Sequence, residues 1–215
     1  MAERARRERV LQATVRTLAE RGFARTTARA IAGTGGFAPG VIYYHFADLD
    51  DVFVAALRHT SQARMQRYLE VVGEAGSAVE VLAALRQLYD EDTAEGHIAA
   101  VQELVAAATG SPRIAEEVGA LTAGWQDFAE RLIELLLDGT ALAPLVPVPE
   151  LARTAVAAYL GMQMLAHLDR DDGGVRAVLD AAAPGAALLD SIRVEDTPYD
   201  TSPGSAGPGQ DDGEG

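Results

Sequence analysis

The chain has no cysteine and no lysine among its 215 residues. Without thiols it can form neither disulfides nor thiolate metal sites, and it offers no cysteine nucleophile. Its 18 basic residues are all arginine, and aromatic side chains make up only 6% of the chain, with a single tryptophan. Long apolar runs are missing too. The longest stretch, 155–168, contains Gln163 and His167 and falls short of the roughly 18 residues a membrane span requires. The N-terminal nine residues are basic, but Gln12, Thr14, Arg16 and Glu20 follow, so there is no apolar leader core. These absences point to a cytoplasmic protein with no membrane partner. Enzyme signatures are lacking as well: Gly33, Gly35 and Gly36 neither follow a strand nor form a phosphate loop, no nucleophile motif occurs, and His59 sits on an amphipathic segment without a partner. Catalysis is not expected, nor is a cofactor or a bound metal.

What is present is a 48% hydrophobic content, ample for a sizeable core, and an uneven charge distribution. The net charge is −14, yet residues 1–67 hold 11 arginines against 6 acidic residues, while residues 68–193 hold 7 against 20. The last 22 residues carry 6 acidic side chains and no basic one. A basic head on an acidic body suits a protein that meets phosphate through one end, because the body is repelled and orients the head. Arg4, Arg6, Arg7 and Arg9 are equally compatible with a solvated terminus.

Helical periodicity dominates, punctuated by glycine and proline, and no β-alternating run appears. The spacing predicts an all-α chain of about nine helices. An amphipathic helix from about 5 to 21 is set by Leu11, Val15 and Leu18 and ended by Gly22; short helices follow at about 27–33 and 38–45. A long connecting helix, about 48–75, starts on Asp48, Asp50 and Asp51, which suit a helix N-terminus, and buries Leu49, Val52, Phe53, Ala56 and Leu57, continuing through Met65, Tyr68, Leu69 and Val72. Further helices are expected over about 78–94, 97–108, 112–138, 149–169 and 174–192, the last interrupted by Pro184-Gly185, which can split or kink it. From Val194 the composition turns to Gly, Pro, Ser, Thr and acid, and a disordered tail is expected over 194–215. The domain division is thus 1–47, 48–193 and the tail.

Residues 26–46 hold two short helical patterns around a glycine-containing turn, the signature of a helix-turn-helix. Thr26 and Thr27 can cap the first, Ile31 and Ala32 face inward, and Gly33, Gly35 and Gly36 stop it. Pro39 suits the first turn of the second helix, and Ile42 and Phe46 at i, i+4 form its buried edge. Val41, Tyr43, Tyr44 and His45 occupy the other edge, the form a major-groove reading helix takes. Tyr43 can instead pack into the head's own core, and His45 can serve only to cap the helix.

The succession Gly22-Phe23, Thr26-Thr27, Ile31-Ala32 and Gly36-Phe37-Ala38-Pro39-Gly40-Val41-Ile42-Tyr43-Tyr44-His45-Phe46 resembles the DNA-binding head of the TetR family of bacterial one-component transcriptional regulators. The resemblance covers about residues 5–60. It implies an all-α homodimer with a three-helix head and a larger helical body that binds a small ligand and dimerises, most such proteins being repressors released from a palindromic double-stranded operator by the ligand. It implies phosphate contacts for Thr27 and Tyr44, a phosphate or base contact for His45, and a base-edge or backbone contact for Arg29. Pro39, Gly40, Val41 and Tyr43 would lie nearest the groove floor. Two positions depart from the family pattern: Leu49 replaces a phosphate-touching lysine, and Ala38 and Val41 replace hydroxyl side chains, although Val41 could meet a thymine methyl.

Body side chains that could line a ligand pocket are Met65, Tyr68, Leu85, Tyr89, Val101, Leu104, Trp125, Phe128, Tyr159, Met162, Gln163 and His167, most of them equally suited to plain core. Trp125, a large ring with one N–H donor, is the strongest of these. Asp90, Glu91, Asp92 and Glu95 with His97 form an acidic cluster that reads as solvated surface rather than a metal site. The last two helices offer apolar faces for a homodimer, Val156, Leu160, Met164 and Leu168 on one and Val178, Leu188, Leu189 and Ile192 on the other, with alanines and Gly161 permitting close approach. Beside the ligand-released repressor stand two alternatives: an activator or ligand-independent DNA-binding protein of the same fold, and a helical ligand-binding protein that has lost DNA binding.

Overall fold

Glycine and proline set the boundaries of almost every element in the computed structural model, which describes residues 2–169 and 173–193. The tail at 194–215 lies outside the described residues. Within them are nine α-helices and no strand: α1 Ala2–Arg21, α2 Ala28–Gly35, α3 Gly40–His45, α4 Leu49–Gly73, α5 Ala78–Ala94, α6 His97–Ala107, α7 Pro112–Leu137, α8 Val148–Asp169 and α9 Gly173–Ile192. Two 3-10 turns, Phe23–Arg25 and Ala143–Leu145, complete the chain. No helix of the described residues is long and apolar enough to cross a membrane.

Four helices start on side-chain caps. Thr27, Asp48, Ser77 and Ser111 accept the backbone N–H groups of Ala30, Asp51, Glu80 and Ile114, and each such cap contributes about 0.5–2 kcal/mol. Thr26 does not share the capping of α2. It is buried, and its hydroxyl donates to the Gly22 carbonyl at 2.8 Å.

Three local expectations are corrected. Helix α2 is not stopped by Gly33 or Gly35, both of which are helical; the left-handed residue that ends it is Gly36, at φ 67°. Gly35 is small for another reason: a Cβ there would lie 2.1 Å from the Phe37 ring and 2.9 Å from Ala13 Cβ, so it sets how closely α2 approaches α1. Helix α9 runs unbroken through Pro184, held at Val175 and Ala186, which are buried, and by Asp190. Tertiary packing overrides the local propensity. Leu69, finally, is 41% exposed and stands off the buried face of α4.

The first apolar cluster joins head and body without interruption. Val10, Leu11, Val15 and Leu18 of α1, Ile31 of α2, Ile42 and Phe46 at α3, and Val52, Phe53, Ala56 and Leu57 of α4 pack together with Ala100 and Leu104 of α6 and Ile114 of α7. A second cluster, farther along α4, gathers Tyr68, Val72, Val81, Leu88 and Phe128. A third joins Tyr89, Ile98 and Val175. Helix α7 packs on α4 and α8, and α5 packs on α9. The α5–α9 contact is also polar: the Asp190 carboxylate accepts the N–H groups of Ala78 and Val79 at 2.7 and 3.1 Å, which hold its pKa below the usual carboxylate value.

Two glycine substitutions separate crowding from conformation. Gly35→Ala is expected to destabilise the protein by about 1–3 kcal/mol, because the added methyl overpacks the α1–α2 contact. Gly33→Ala, with nothing within 4 Å of the new Cβ, is expected to be neutral or stabilising by about 0.5–1 kcal/mol. Urea unfolding of the two variants measures the difference.

Candidate nucleic-acid interface and ligand cavity

Helix α3 buries one edge and exposes the rest. Ile42 and Phe46 are 0% and 4% exposed, and Val41 packs half-buried against the same core. With that inner edge filled there is no room inside for a tyrosine: Tyr43 is 58% and Tyr44 73% exposed, so Tyr43 does not take the core position open to it in the sequence. Pro39, already in αR geometry before the first helical residue, and Gly40 are exposed beside them. His45 is half-buried, stands edge-on to Tyr44 at 4.9 Å between ring centroids, and has an Nε2 enclosed without a hydrogen-bond partner.

Arginines surround this surface. Arg29 is exposed on α2, and Thr27 at its start has its side-chain oxygen engaged by Ala30 N–H at 3.2 Å. Arg7 lies 5.1 Å over the Phe46 ring, and Arg9 donates to the Gly35 carbonyl at 3.0 Å. These two are part of the head rather than a loose terminus, which no sequence signal distinguished. Leu49, where the resemblance led one to look for lysine, is half-buried against the head core. The acidic start of α4 is tied to the body: Arg113 bridges Asp48 at 3.1 Å and Asp51 at 3.5 Å, and Ser111 donates to Asp50 at 2.7 Å.

A cavity of about 230 Å³ lies between α4, α6, α7 and α8. Helix α4 contributes Leu57, Ser61, Arg64 and Tyr68, and α6 contributes Val101 and Val105. From α7 come Val118, Leu121, Thr122, Trp125, Phe128 and Ala129, and from α8 Ala155, Val156, Tyr159 and Leu160. Tyr68, Val101, Trp125, Phe128 and Tyr159 are therefore brought together. The other candidates lie elsewhere. Met65 packs against the second cluster, Leu104 belongs to the first, and Tyr89 and Met162 to the third. Gln163 is buried outside the cavity wall, Leu85 lines a separate groove between α5, α7 and α9, and His167 Nε2 stands 3.5 Å from Glu103.

The cavity's polar end is built on Arg64. Its Nε donates to Asp92 at 2.6 Å, and the Tyr68 hydroxyl donates to the same carboxylate oxygen at 3.1 Å. The guanidinium lies 5.2 Å from the Trp125 ring centroid and 5.9 Å from that of Tyr68, within cation–π range. Tyr68, Trp125 and Phe128 meet edge to face at 5.3–6.0 Å, and Trp125 Nε1 donates to Ser61 at 3.1 Å. Burial opposes the Arg64 charge, but the oxygens of Tyr159, Asp92 and Tyr68 outweigh it and raise its pKa, so it remains a cation. Burial pushes the Tyr68 and Tyr159 hydroxyls above the ordinary tyrosine value, aided at Tyr68 by Asp92 and opposed at Tyr159 by Arg64 and Gln163. Both hydroxyls are neutral donors at physiological pH. Sequence inspection passed over Arg64, although its spacing from Leu57 and Tyr68, seven and four residues, sets it on the buried face of α4.

The acidic cluster is not a shared centre. Asp90 pairs with Arg176, Glu91 with Arg67, Asp92 with Arg64, and Glu95 with His97. Nor is Asp92 solvated, being 1% exposed. Among the described residues no group of three His, Cys, Asp or Glu could hold a metal ion.

A short exposed helix, α3, set after α2 on a compact head and joined to a helical body with an apolar cavity, is a helix-turn-helix arrangement. Residues 10–56 match the bacterial regulatory proteins of the tetR family. Over 77 residues, 36% of this chain and 38% of the relative, the sequence is 39% identical to the HTH-type transcriptional repressor AcnR of Corynebacterium diphtheriae. The chain spans from 38% to 55% of the lengths of such curated relatives. A TetR transcription regulator from Haloarcula marismortui superposes with a TM-score of 0.68 at 18% identity, over 89% of this chain and 99% of that one. FadR from Bacillus subtilis, in complex with stearoyl-CoA, gives 0.63 at 18% identity over 86% and 97%. Residues 10–56 are thus similar to the tetR-family model, and the chain as a whole has the same all-α fold as the Haloarcula marismortui regulator.

Removing one member of the buried pair leaves the other charged and unpaired. Asp92→Ala is expected to destabilise the fold by about 3–5 kcal/mol, measured by chemical denaturation.

Proposed function

We propose that the protein is a homodimeric transcriptional repressor, working in the cytoplasm, that leaves its operator when a small, largely apolar ligand enters the cavity between α4, α6, α7 and α8. It acts by binding rather than by catalysis. One observation carries this: Leu57, 3% exposed within the apolar cluster that also holds Ile42 and Phe46, forms part of the cavity wall. Val101, Val118 and Leu121 of the same wall pack against that cluster as well. A ligand that displaces α4 from α7 therefore disturbs the core on which the reading helix rests, and close-packed cores shift between discrete arrangements rather than deform smoothly.

On the head, Tyr44 and Thr27 would hold phosphates, Arg29 and His45 would reach phosphate or base edges, and Pro39, Gly40, Val41 and Tyr43 would face the groove floor. The exposure of Tyr43 and Tyr44 supports this reading, since large aromatics left in water on a six-residue helix have no packing role. Dimerisation would use the outer faces of α8 and α9, where Met164, Leu165, Val178 and Leu188 are 51–60% exposed beside alanines and Gly161. Val156 and Leu160 do not belong to that face, because α8 turns them to the cavity and packs that side on α7. Leu189 is half-buried in the α5–α9 groove, where Leu188 forms the more exposed rim, and the side chain of Leu168 lies outside the described residues. A two-fold dimer reads two half-sites related by the same axis.

Two measurements test these assignments. In fluorescence anisotropy with DNA from upstream of its own coding sequence, affinity should fall steeply with salt. Tyr44→Ala should weaken operator and random DNA alike, whereas Val41→Ala should change sequence preference; equal effects of both on every DNA would refute the division of roles. Light scattering at micromolar concentration should give twice the chain mass of 22.6 kDa, and Met164→Glu with Leu188→Glu should give the monomer.

A further inference from the structure

The cavity is apolar along most of its wall and charged at one place. Arg64 lines it, while its partner Asp92 is 1% exposed, does not line it, and stands behind the guanidinium. An incoming group thus meets the positive end of the buried pair first, and at short range the nearer charge dominates. A cationic ligand finds the site occupied, because the aromatic faces of Trp125 and Tyr68 that would receive it already hold Arg64. The donors beside it favour the opposite sign. A guanidinium offers five N–H groups, of which Nε is turned to Asp92, and that pairing fixes the orientation of the planar fork. Tyr159, also in the wall, is neutral and interacts with both Arg64 and Gln163.

We propose that the effector is an amphiphile with one carboxylate head and an apolar body, the carboxylate seated on Arg64 and the body along the walls from α6, α7 and α8. This deepens the repressor reading and rests on it for the cavity's role, but the chemistry of the head group is separable. Asp92 and Tyr68 act as positioning residues, holding Arg64 in place, so that a buried carboxylate meets a preset partner and is not left uncompensated.

Decanoate, 1-decanol and decylamine share one tail, so that its transfer contribution is common to all three and differences report the head group. Binding to the full chain is read from the fluorescence of Trp125, the only tryptophan. Decanoate should bind at least tenfold more tightly than decanol, with decylamine weakest. Equal affinity for decanoate and decanol, preference for the amine, or no binding of any of the three overturns the proposal. Because Arg64 alone cannot be removed without stranding Asp92, the pair is replaced together, Arg64→Met with Asp92→Leu, an exchange that buried pairs often tolerate. That variant should bind decanol as before and lose the preference for decanoate; a retained preference overturns the assignment to Arg64. Operator release, followed separately by anisotropy, distinguishes the two levels. Release by decanol and decanoate at equal affinity refutes the carboxylate and keeps the repressor reading, whereas selective decanoate binding without release keeps the carboxylate and refutes the reading.

Discussion

Everything in this molecule hangs on the burial of α4 along two successive apolar clusters. Its first three turns, through Val52, Phe53, Ala56 and Leu57, fill the core of the head, and its later turns, through Tyr68 and Val72, fill that of the body. Between them lie Ser61 and Arg64, the polar stretch of the same face. A helix so placed cannot be solvated on that side, so every polar group there must find a partner. Trp125 supplies one to Ser61 and Asp92 one to Arg64, and the ring triad around them closes the site. The cavity lies beside them, between α4, α6, α7 and α8.

Head and body are consequently less separate than a division near residue 47 implies. Ala100, Leu104 and Ile114 of the body share the cluster of α1, α2 and α3. Polar contacts follow the same route: Glu103 of α6 accepts the Phe23 N–H at 2.6 Å, and Glu117 of α7 receives Arg58 of α4 through both oxygens, which raises the arginine's pKa. Body and head are thus joined by several packed or hydrogen-bonded contacts.

Helix positions were legible in the sequence because their limits are covalent in origin. Gly22, Gly36, Gly96 and Gly139 take positive φ, and Pro112 opens α7 directly after its serine cap. The buried edge of α3 was legible for the same kind of reason, since Ile42 and Phe46 are one turn apart. What escaped notice depends on distant neighbours. Gly35 looks like a helix stop until Phe37 and Ala13 are seen against it. Pro184 looks like a break until α9 is seen packed on α5. Asp92 was grouped with the surface acids around it, yet it faces Arg64, 28 residues earlier on another helix. No local pattern encodes such a pairing. Of the side chains singled out for the ligand, the cavity gathers Tyr68, Val101, Trp125, Phe128 and Tyr159, one or two from each of four helices, and which residues of different helices meet depends on how the helices cross rather than on any local pattern.

The ties at the start of α4 bear on how freely such proteins can be recombined. Asp48, Asp50 and Asp51 stand just past α3, and their counterparts are Arg113 of α7 and its cap, Ser111. The segment 111–113 thus supplies the start of α4 with a cation and a hydroxyl from outside the head. A chimera that grafts this head onto another body would keep α3 and the Asp48 cap of α4, but would leave Asp50 without its serine and Asp48 and Asp51 without their arginine, unless positions equivalent to Ser111 and Arg113 travelled with it. The natural unit of exchange is the head together with the cap and first turn of α7.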